Sequence, residues 1–546
     1  MSLQQKGTGL EFSSKQVALA LVAVFAVYGT SAYFVQALNI ARPKMAAELD
    51  GMALYSWSIS IPGLVGAFIT LIYGKFSDMY GRRIMLLISL AFFLVGTVLC
   101  AISPTFIFLI FGNAVARMGS GALMMLCYAV LGDLFPPVER SKWIGLLNIP
   151  SGFFALFGPT MGGWFADNLS WRHLYWIAAP LIIACLAIVP SGIPSLVSKV
   201  ARKIDFRGCI LMMIASSATI LAFSFAGTTY PWASPQVIGL LIVAVVFWIL
   251  FLRAESRVDE PILDLQLLRN RSFVTVAVAT FLSFFAQMVI TMYFPLFLQG
   301  VQGISATKSG QIITPYSVLF AFVGVPTGFI LAKTKRYKWM YILGFGILTA
   351  DMFGVIFFGA ATPISWSVIA CTLAGLGFGS IPTINTMVVQ NAVPKRLLGV
   401  AMGAIFFIIS MGIAVSPAIL GAAMNATYTT KLAATLPEEL REVADAKTMA
   451  ALGNPRVLLS QPAMAALEAE FARRGNDGQA LFRRTVDAIR MSMEAGLRSI
   501  FWIAAIAILL SFVLIITVPE IPLDAEVQDK KAPEPVTASR AAGQSN

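Results

Sequence analysis

Apolar runs of bilayer length alternate with short polar loops along almost the whole chain. They lie at about 16–38, 53–73, 84–103, 106–131, 143–164, 173–193, 208–227, 235–252, 272–298, 310–332, 339–360, 364–389, 397–421 and 498–518. A helix crossing hydrocarbon needs about 20 largely apolar residues. The pattern therefore predicts an all-α integral membrane protein with about fourteen transmembrane helices. One stretch departs from it, the long, charged segment 425–496. Within it, Met464, Leu467 and Phe471 follow helical spacing, as do Phe482, Val486, Ile489 and Met493, with Gly475-Asn476-Asp477-Gly478 between the two sets. Two amphipathic helices joined by a turn, a hairpin over the external mouth, are expected there.

Loop charge sets the orientation. Basic residues cluster in alternate loops, at Arg82-Arg83, Arg140 and Lys142, Lys199 to Arg207, Arg269 and Arg271, Lys333 to Lys338, and Lys395-Arg396. The intervening short loops hold only Arg42, Lys44, Arg172 and Lys308. Cytoplasmic loops retain the excess of Lys and Arg, so both termini are expected in the cytoplasm. The segment 425–496 is then external, where long loops translocate regardless of charge.

Composition agrees with a membrane protein and narrows the chemistry. Hydrophobic residues make up 58% of the 546 and charged residues 12%, about half the charged share of a soluble domain. The net charge of +12 follows the loop alternation, so it reflects topology and no nucleic-acid partner. The polar opening and long first apolar run do not fit a cleavable signal. Five cysteines without paired spacing and a single histidine, His173, give no disulfide, metal or triad pattern. No phosphate-binding loop and no clustered acid, base and nucleophile occur. No enzyme activity, cofactor or metal is expected.

The loop after the second run reads Gly74-Lys75-Phe76-Ser77-Asp78-Met79-Tyr80-Gly81-Arg82-Arg83. Its charges are costly near a membrane unless paired. The loop resembles the signature loop of the major facilitator superfamily. That resemblance implies that Asp78 and Arg82 join Asp133, at the inner end of the fourth span, in a charge network closing the cytoplasmic side. Arg117, followed by Gly119 and Gly121, is similar to the arginine motif of proton-coupled drug antiporters, which implies a coupling role. Gly145, Gly158, Pro159, Gly162 and Gly163 resemble the antiporter motif of drug exporters, with Phe154 where that motif has a glycine. Such glycines let a neighbouring helix approach closely.

The second half repeats the first. Gly328 to Arg336 is a worn copy of the signature loop with Ala332 where Asp78 stands, and Gly403 precedes Pro417 as Gly145 precedes Pro159. Trp171-Arg172, Asp205 to Gly208, Tyr293 to Gln299, Ser305 to Gly310 and Gln390 to Pro394 match the fourteen-helix drug:proton antiporters. The implied architecture is the major facilitator fold as six plus two plus six helices. Its expected parts are a cytoplasmic N-terminus at 1–15 and a six-helix half at 16–193. Two inserted helices with linkers at 194–271 precede a second half at 272–518, which includes the hairpin 425–496, and a disordered tail at 519–546.

One departure bears on function. The relatives' first-span aspartate is Phe34 here, followed by Asn39-Ile40-Ala41-Arg42-Pro43, and the thirteenth run has no carboxylate. A dication would lack its counter-ion. Asp351 alone among carboxylates falls near the middle of a run. It is either a proton-coupling group or a neutral aspartate at a helix contact. Phe34, Gln36, Asn39, Asn113, Asn148, Gln287 and Asn385 are candidates to line a substrate cavity, although polar side chains also join helices. The resemblance implies export of amphipathic drugs across the bacterial inner membrane (multidrug efflux, antibiotic resistance), driven by protons. Its partners would be substrate, protons, the bilayer and, in a Gram-negative cell, a periplasmic adaptor. The alternative is a facilitator or ion-coupled transporter of a specific neutral or anionic metabolite.

Overall fold

The structure is a computed structural model that describes residues 3–4, 11–12, 14–51, 54–193, 205–227, 230–258, 263–394, 397–437, 440, 468, 471 and 475–520. Apart from one pair of two-residue strands, in which Leu3 faces Phe12, the described elements are helices. The first group comprises α1 (Ser14–Glu48), α2 (Tyr55–Tyr80), α3 (Arg82–Ala101), α4 (Phe106–Leu134), α5 (Pro137–Leu146), α6 (Asn148–Asn168) and α7 (Arg172–Gly192). Next come α8 (Phe206–Phe225), α9 (Pro235–Glu255) and the short α10 (Leu265–Arg269). The last group is α11 (Arg271–Met288), α12 (Phe294–Leu296), α13 (Ala306–Phe322), α14 (Gly324–Thr334), α15 (Lys338–Val355), α16 (Ile364–Ala392), α17 (Leu398–Thr435) and α18 (Gly475–Ile516).

Local chemistry explains several helix starts. Thr105, Asp205, Ser234, Asn270 and Ser305 each accept a first-turn backbone N–H with the side chain, supplying a partner the helix itself cannot. Around Pro295 the ninth span loosens into π-type turns at Val289–Tyr293 and Phe297–Val301. A proline lacks the N–H that a regular helix would use there.

Twelve helical stretches among the described residues are long and apolar enough to cross a membrane. The α5–α6 pair and the 18-residue α15 lie outside that set. Packing follows one scheme twice. In the first group α1 packs on α6 and α7, α3 on α4 and α7, and α2 on α4. In the last, α11 packs on α17 and α18, α15 on α16 and α18, and α13 on α16. The groups meet where α2 lies along α17 and where α5 and α6 lie along α14 and α13. Helices α8 and α9 pair with each other, and α8 also rests on α2 and α17.

The region expected as an external hairpin differs. Residues 425–435 continue α17, and 475–496 form the first half of the unbroken, 42-residue α18. Gly475 to Gly478 begin this helix and make no turn within it. A glycine costs a helix only about 1 kcal/mol, which the long apolar continuation offsets. Most of the other amphipathic segment, 464–471, and the tail beyond 520 lie outside the described residues.

Candidate functional site

At the Gly74–Arg82 end of the structure, Arg82 stands between two carboxylates. Its Nη1 is 2.5 Å from Asp78 Oδ1 and its Nε is 2.8 Å from Asp133 Oδ2, while Nη1 also donates to Ser77 Oγ at 2.6 Å. The three charges that the signature loop brought forward are thus joined across α2, α3 and α4. Asp78 does more. Its Oδ1 accepts the backbone N–H of Gly399 at 3.0 Å and its Oδ2 that of Val400 at 2.9 Å. These are first-turn donors of α17, whose own preceding residue, Leu397, supplies no side-chain cap. A carboxylate at a helix N-terminus also meets the favourable end of the helix dipole. One half of the molecule therefore caps a helix of the other.

Glycines hold this seam closed. A Cβ on Gly74 would sit 2.6 Å from Gly399 O, and the Gly74 and Gly403 backbones touch. Across the molecule, a Cβ on Gly145 would sit 2.6 Å from Gly324 O, and the Gly145 and Gly328 backbones touch. The sequence repeat matches Gly74 to Gly328 and Gly145 to Gly403. The fold then pairs each glycine with the counterpart of its mate, as a two-fold axis between the halves requires. The charges are not repeated. Helix α5 already runs from Pro137, so the amides of 141 and 142 are helical by the point where α17 still offers free ones. Ser141 Oγ instead donates to Gly328 O at 3.1 Å, and Arg140 Nη1 to Gln390 Oε1 at 3.1 Å.

Toward the other end of α2 the seam opens into a cavity of about 870 Å³. Its walls are α2 from Ile59 to Thr70, α4 at Arg117 and Gly121, Met292 to Leu296, and α17 from Phe406 to Asn425. Ile220, Phe223 and Ser224 of α8 complete it, so an inserted helix forms part of the wall. Among the described residues, Arg117 is the one charged side chain lining it. Its guanidinium makes no hydrogen bond or ion pair among those residues.

Six of the residues expected to line a cavity have described side chains, and these make other contacts. Phe34 is buried edge-on against Phe93 and Tyr175. Asn113 donates to Leu109 O and to Tyr175 Oη at 3.3 Å. Asn148 reaches Thr383 Oγ1 at 3.3 Å, Gln287 reaches Tyr316 Oη at 3.5 Å, and Asn385 joins Tyr341 to Thr280. Gln36 packs beside Gly158, and Gly162 lies against Ala37. Gly158 and Gly162 of the antiporter motif thus sit at the α1–α6 contact within the first half, while its Gly145 lies at the seam between the halves. Asn39, Pro159 and Gly163 fall in helices, their side chains outside the described residues. Among the described side chains of these candidates, none lines the 870 Å³ cavity. Amide side chains serve helix contacts and cavities alike, so sequence could not separate the two uses.

Asp351 is 5% exposed on α15, with Oδ2 making no hydrogen bond among the described residues, and it does not line the cavity. Trp171 Nε1 donates to Glu48 Oε2 at 2.7 Å, and Arg172 Nη2 donates to Ser103 O at 2.8 Å. This motif therefore ties α1, α3 and α7 together. His173 is exposed beside it.

A helical bundle built twice over, with a closed seam at one end and a cavity between its halves, fits a transporter. The decisive comparison is a family profile of the Major Facilitator Superfamily that matches residues 20–417. The chain belongs to this superfamily. It is a multi-pass protein of the cell membrane, and the likeness runs to the drug-efflux branch. It is 28% identical over 480 residues to Multidrug resistance protein 3 of Bacillus subtilis, covering 87% of this chain and 90% of that one. Multidrug transporter protein MdtP of B. subtilis is 28% identical over 389 residues, covering 71% and 72%. An uncharacterised MFS-type transporter of Mycobacterium tuberculosis is 31% identical over 382 residues, which is 70% of this chain but only 56% of that protein. Among solved structures, the human organic anion transporter MFSD10 superposes with a TM-score of 0.55 at 14% identity, covering 92% of this chain and 99% of that chain. The proton:xylose symporter XylE superposes equally at 12% identity, covering 93% and 97%. These two carry the fold alone.

Proposed function

We propose that this superfamily member exports amphipathic compounds by alternating access, with fourteen spans and both termini in the cytoplasm. The observation that carries the reading is the opposition of a closed seam and an open cavity along the same helices. Asp78 caps α17 at one end, and the 870 Å³ cavity separates α2 from α17 toward the other. With the basic loops inside, this is a carrier closed to the cytoplasm and open outward. Rocking the halves would break the Asp78–α17 bonds and expose the cavity inward.

Proton influx is the proposed driving force. Arginine does not deprotonate in proteins, so Arg117 acts by its fixed charge. Asp351 is the proposed titrating group, coupled to the cavity through α15 and α16. A facilitator of a specific metabolite is the second reading, favoured by the absence of a carboxylate among the cavity-lining residues. Purified protein in proteoliposomes, given an imposed pH gradient and a panel of dyes and metabolites, tests both. Uphill movement of several unrelated amphiphiles supports export. Gradient-independent equilibration of one metabolite supports the facilitator.

A further inference from the structure

The geometry points to Arg117 as the receptor for the negative charge of an anionic amphiphile, bound in the cavity between α2, α4, α8 and α17. This rests on the transport reading above and adds the substrate class. Among the described residues the cavity holds one charged side chain and no carboxylate, and its walls are otherwise mainly apolar, with Ile59, Ile220, Phe223, Met292, Leu296 and Phe406 among them. An arginine keeps its charge at every accessible pH, and a fixed charge away from bulk water needs a counter-charge. Among the described residues no side chain supplies one. Arg42 on α1 places a second positive charge within electrostatic reach of Arg117, which sharpens the deficit.

The polar neighbours do not relieve it. Thr70 Oγ1 donates to the carbonyls of Gly66 and Gly121 at 2.6 and 3.1 Å. Ser410 Oγ donates to Phe406 O at 3.0 Å. The arginine stem lies along Gly66, where an added Cβ would be 3.8 Å from Cδ, and Gly121 packs on Gly66 opposite. Arg117 lines the cavity beside these small residues, and a guanidinium suits bidentate carboxylate or sulfonate binding. A cavity of about 870 Å³ is of drug size. A cation of the same shape would meet repulsion and no partner.

Two xanthene dyes of similar size test this, the anion fluorescein and the cation rhodamine 123. Fluorescence anisotropy would read binding to the full chain in nanodiscs of zwitterionic lipid. Wild type is expected to bind fluorescein at least tenfold tighter than rhodamine 123. Arg117→Gln should weaken fluorescein about tenfold or more and leave rhodamine 123 unchanged or tighter, with Arg117→Lys between. Ser410→Asp provides a second arm that keeps the arginine, so the test does not depend on the folding of Arg117→Gln. The new carboxylate should neutralise it from within and shift preference toward rhodamine 123. Repeating the titration with phosphatidylglycerol in the nanodisc separates two sources of the anion. Weaker fluorescein binding there makes anionic lipid a competitor for the same site, and unchanged binding leaves the site to soluble anions. Equal binding of both dyes by wild type, or fluorescein binding unaffected by both substitutions, overturns the assignment. If the proteoliposome panel still shows export in that case, only the substrate class fails.

Discussion

The carboxylate of Asp78 caps a helix of the opposite half, accepting the Gly399 N–H at 3.0 Å across 321 residues of sequence. The same carboxylate pairs with Arg82. A single side chain thereby links the charge network of one half to the first turn of the other, and the bonds to α17 exist only while the halves meet at that end.

Asp78→Asn should therefore loosen the closed state without unfolding the protein. Asparagine keeps one oxygen for α17 but loses the charge that Arg82 faces. Breaking one member of a buried pair costs about 3–5 kcal/mol, and the remaining Arg82–Asp133 contact at 2.8 Å places this case at or below the low end. Transport should fall at least about tenfold with normal expression. Wild-type rates in the variant would remove the gating role.

The glycine seam gives a second, symmetric expectation. Gly74→Ala and Gly145→Val each place a side chain 2.6 Å or nearer to a backbone carbonyl of the opposite half, where no rotamer change gives relief. Both should disfavour the closed conformation, raising labelling of single cysteines placed along α2 and α5 near the seam. Gly354→Ala, with nothing within 4 Å of its new methyl, is the control and should change neither labelling nor transport. Equal behaviour of all three would show that the seam tolerates separation.

Much of this was legible in sequence. Apolar length gave a polytopic helical membrane protein, twelve of whose described helical stretches are long and apolar enough to cross, and the Gly74–Arg83 loop pointed to the Asp78–Arg82–Asp133 contacts. The internal repeat located the four glycines, and Ala332 marked the half where the charge lock is absent. Other features had no residue-type signal. The partners of Asp78 on α17 are backbone N–H groups, which any sequence supplies. The wall contributed by α8 depends on how the inserted pair docks. The cavity candidates carry a related ambiguity, since Asn113, Asn148, Gln287 and Asn385 spend their polarity on helix contacts in this structure.

Asp351 is the proposed coupling group, and its burial makes that role testable. It lies deep in α15, 5% exposed, and Oδ2 has no hydrogen-bond partner among the described residues. An ionised carboxylate held there without a partner would cost several kcal/mol, so its charge state and the packing of α15 must change together. That linkage is what lets a group outside the cavity drive a conformational step, because whichever conformation admits water or a donor also admits the charge. Asp351→Asn keeps the size and a polar amide but cannot titrate. The variant should fold and exchange substrate across proteoliposomes in the absence of a gradient. It should lose accumulation driven by an imposed pH difference, by about tenfold or more. Proton-driven accumulation at wild-type level would instead make Asp351 a neutral partner in a helix contact and leave coupling to be sought in the Asp78–Arg82–Asp133 network.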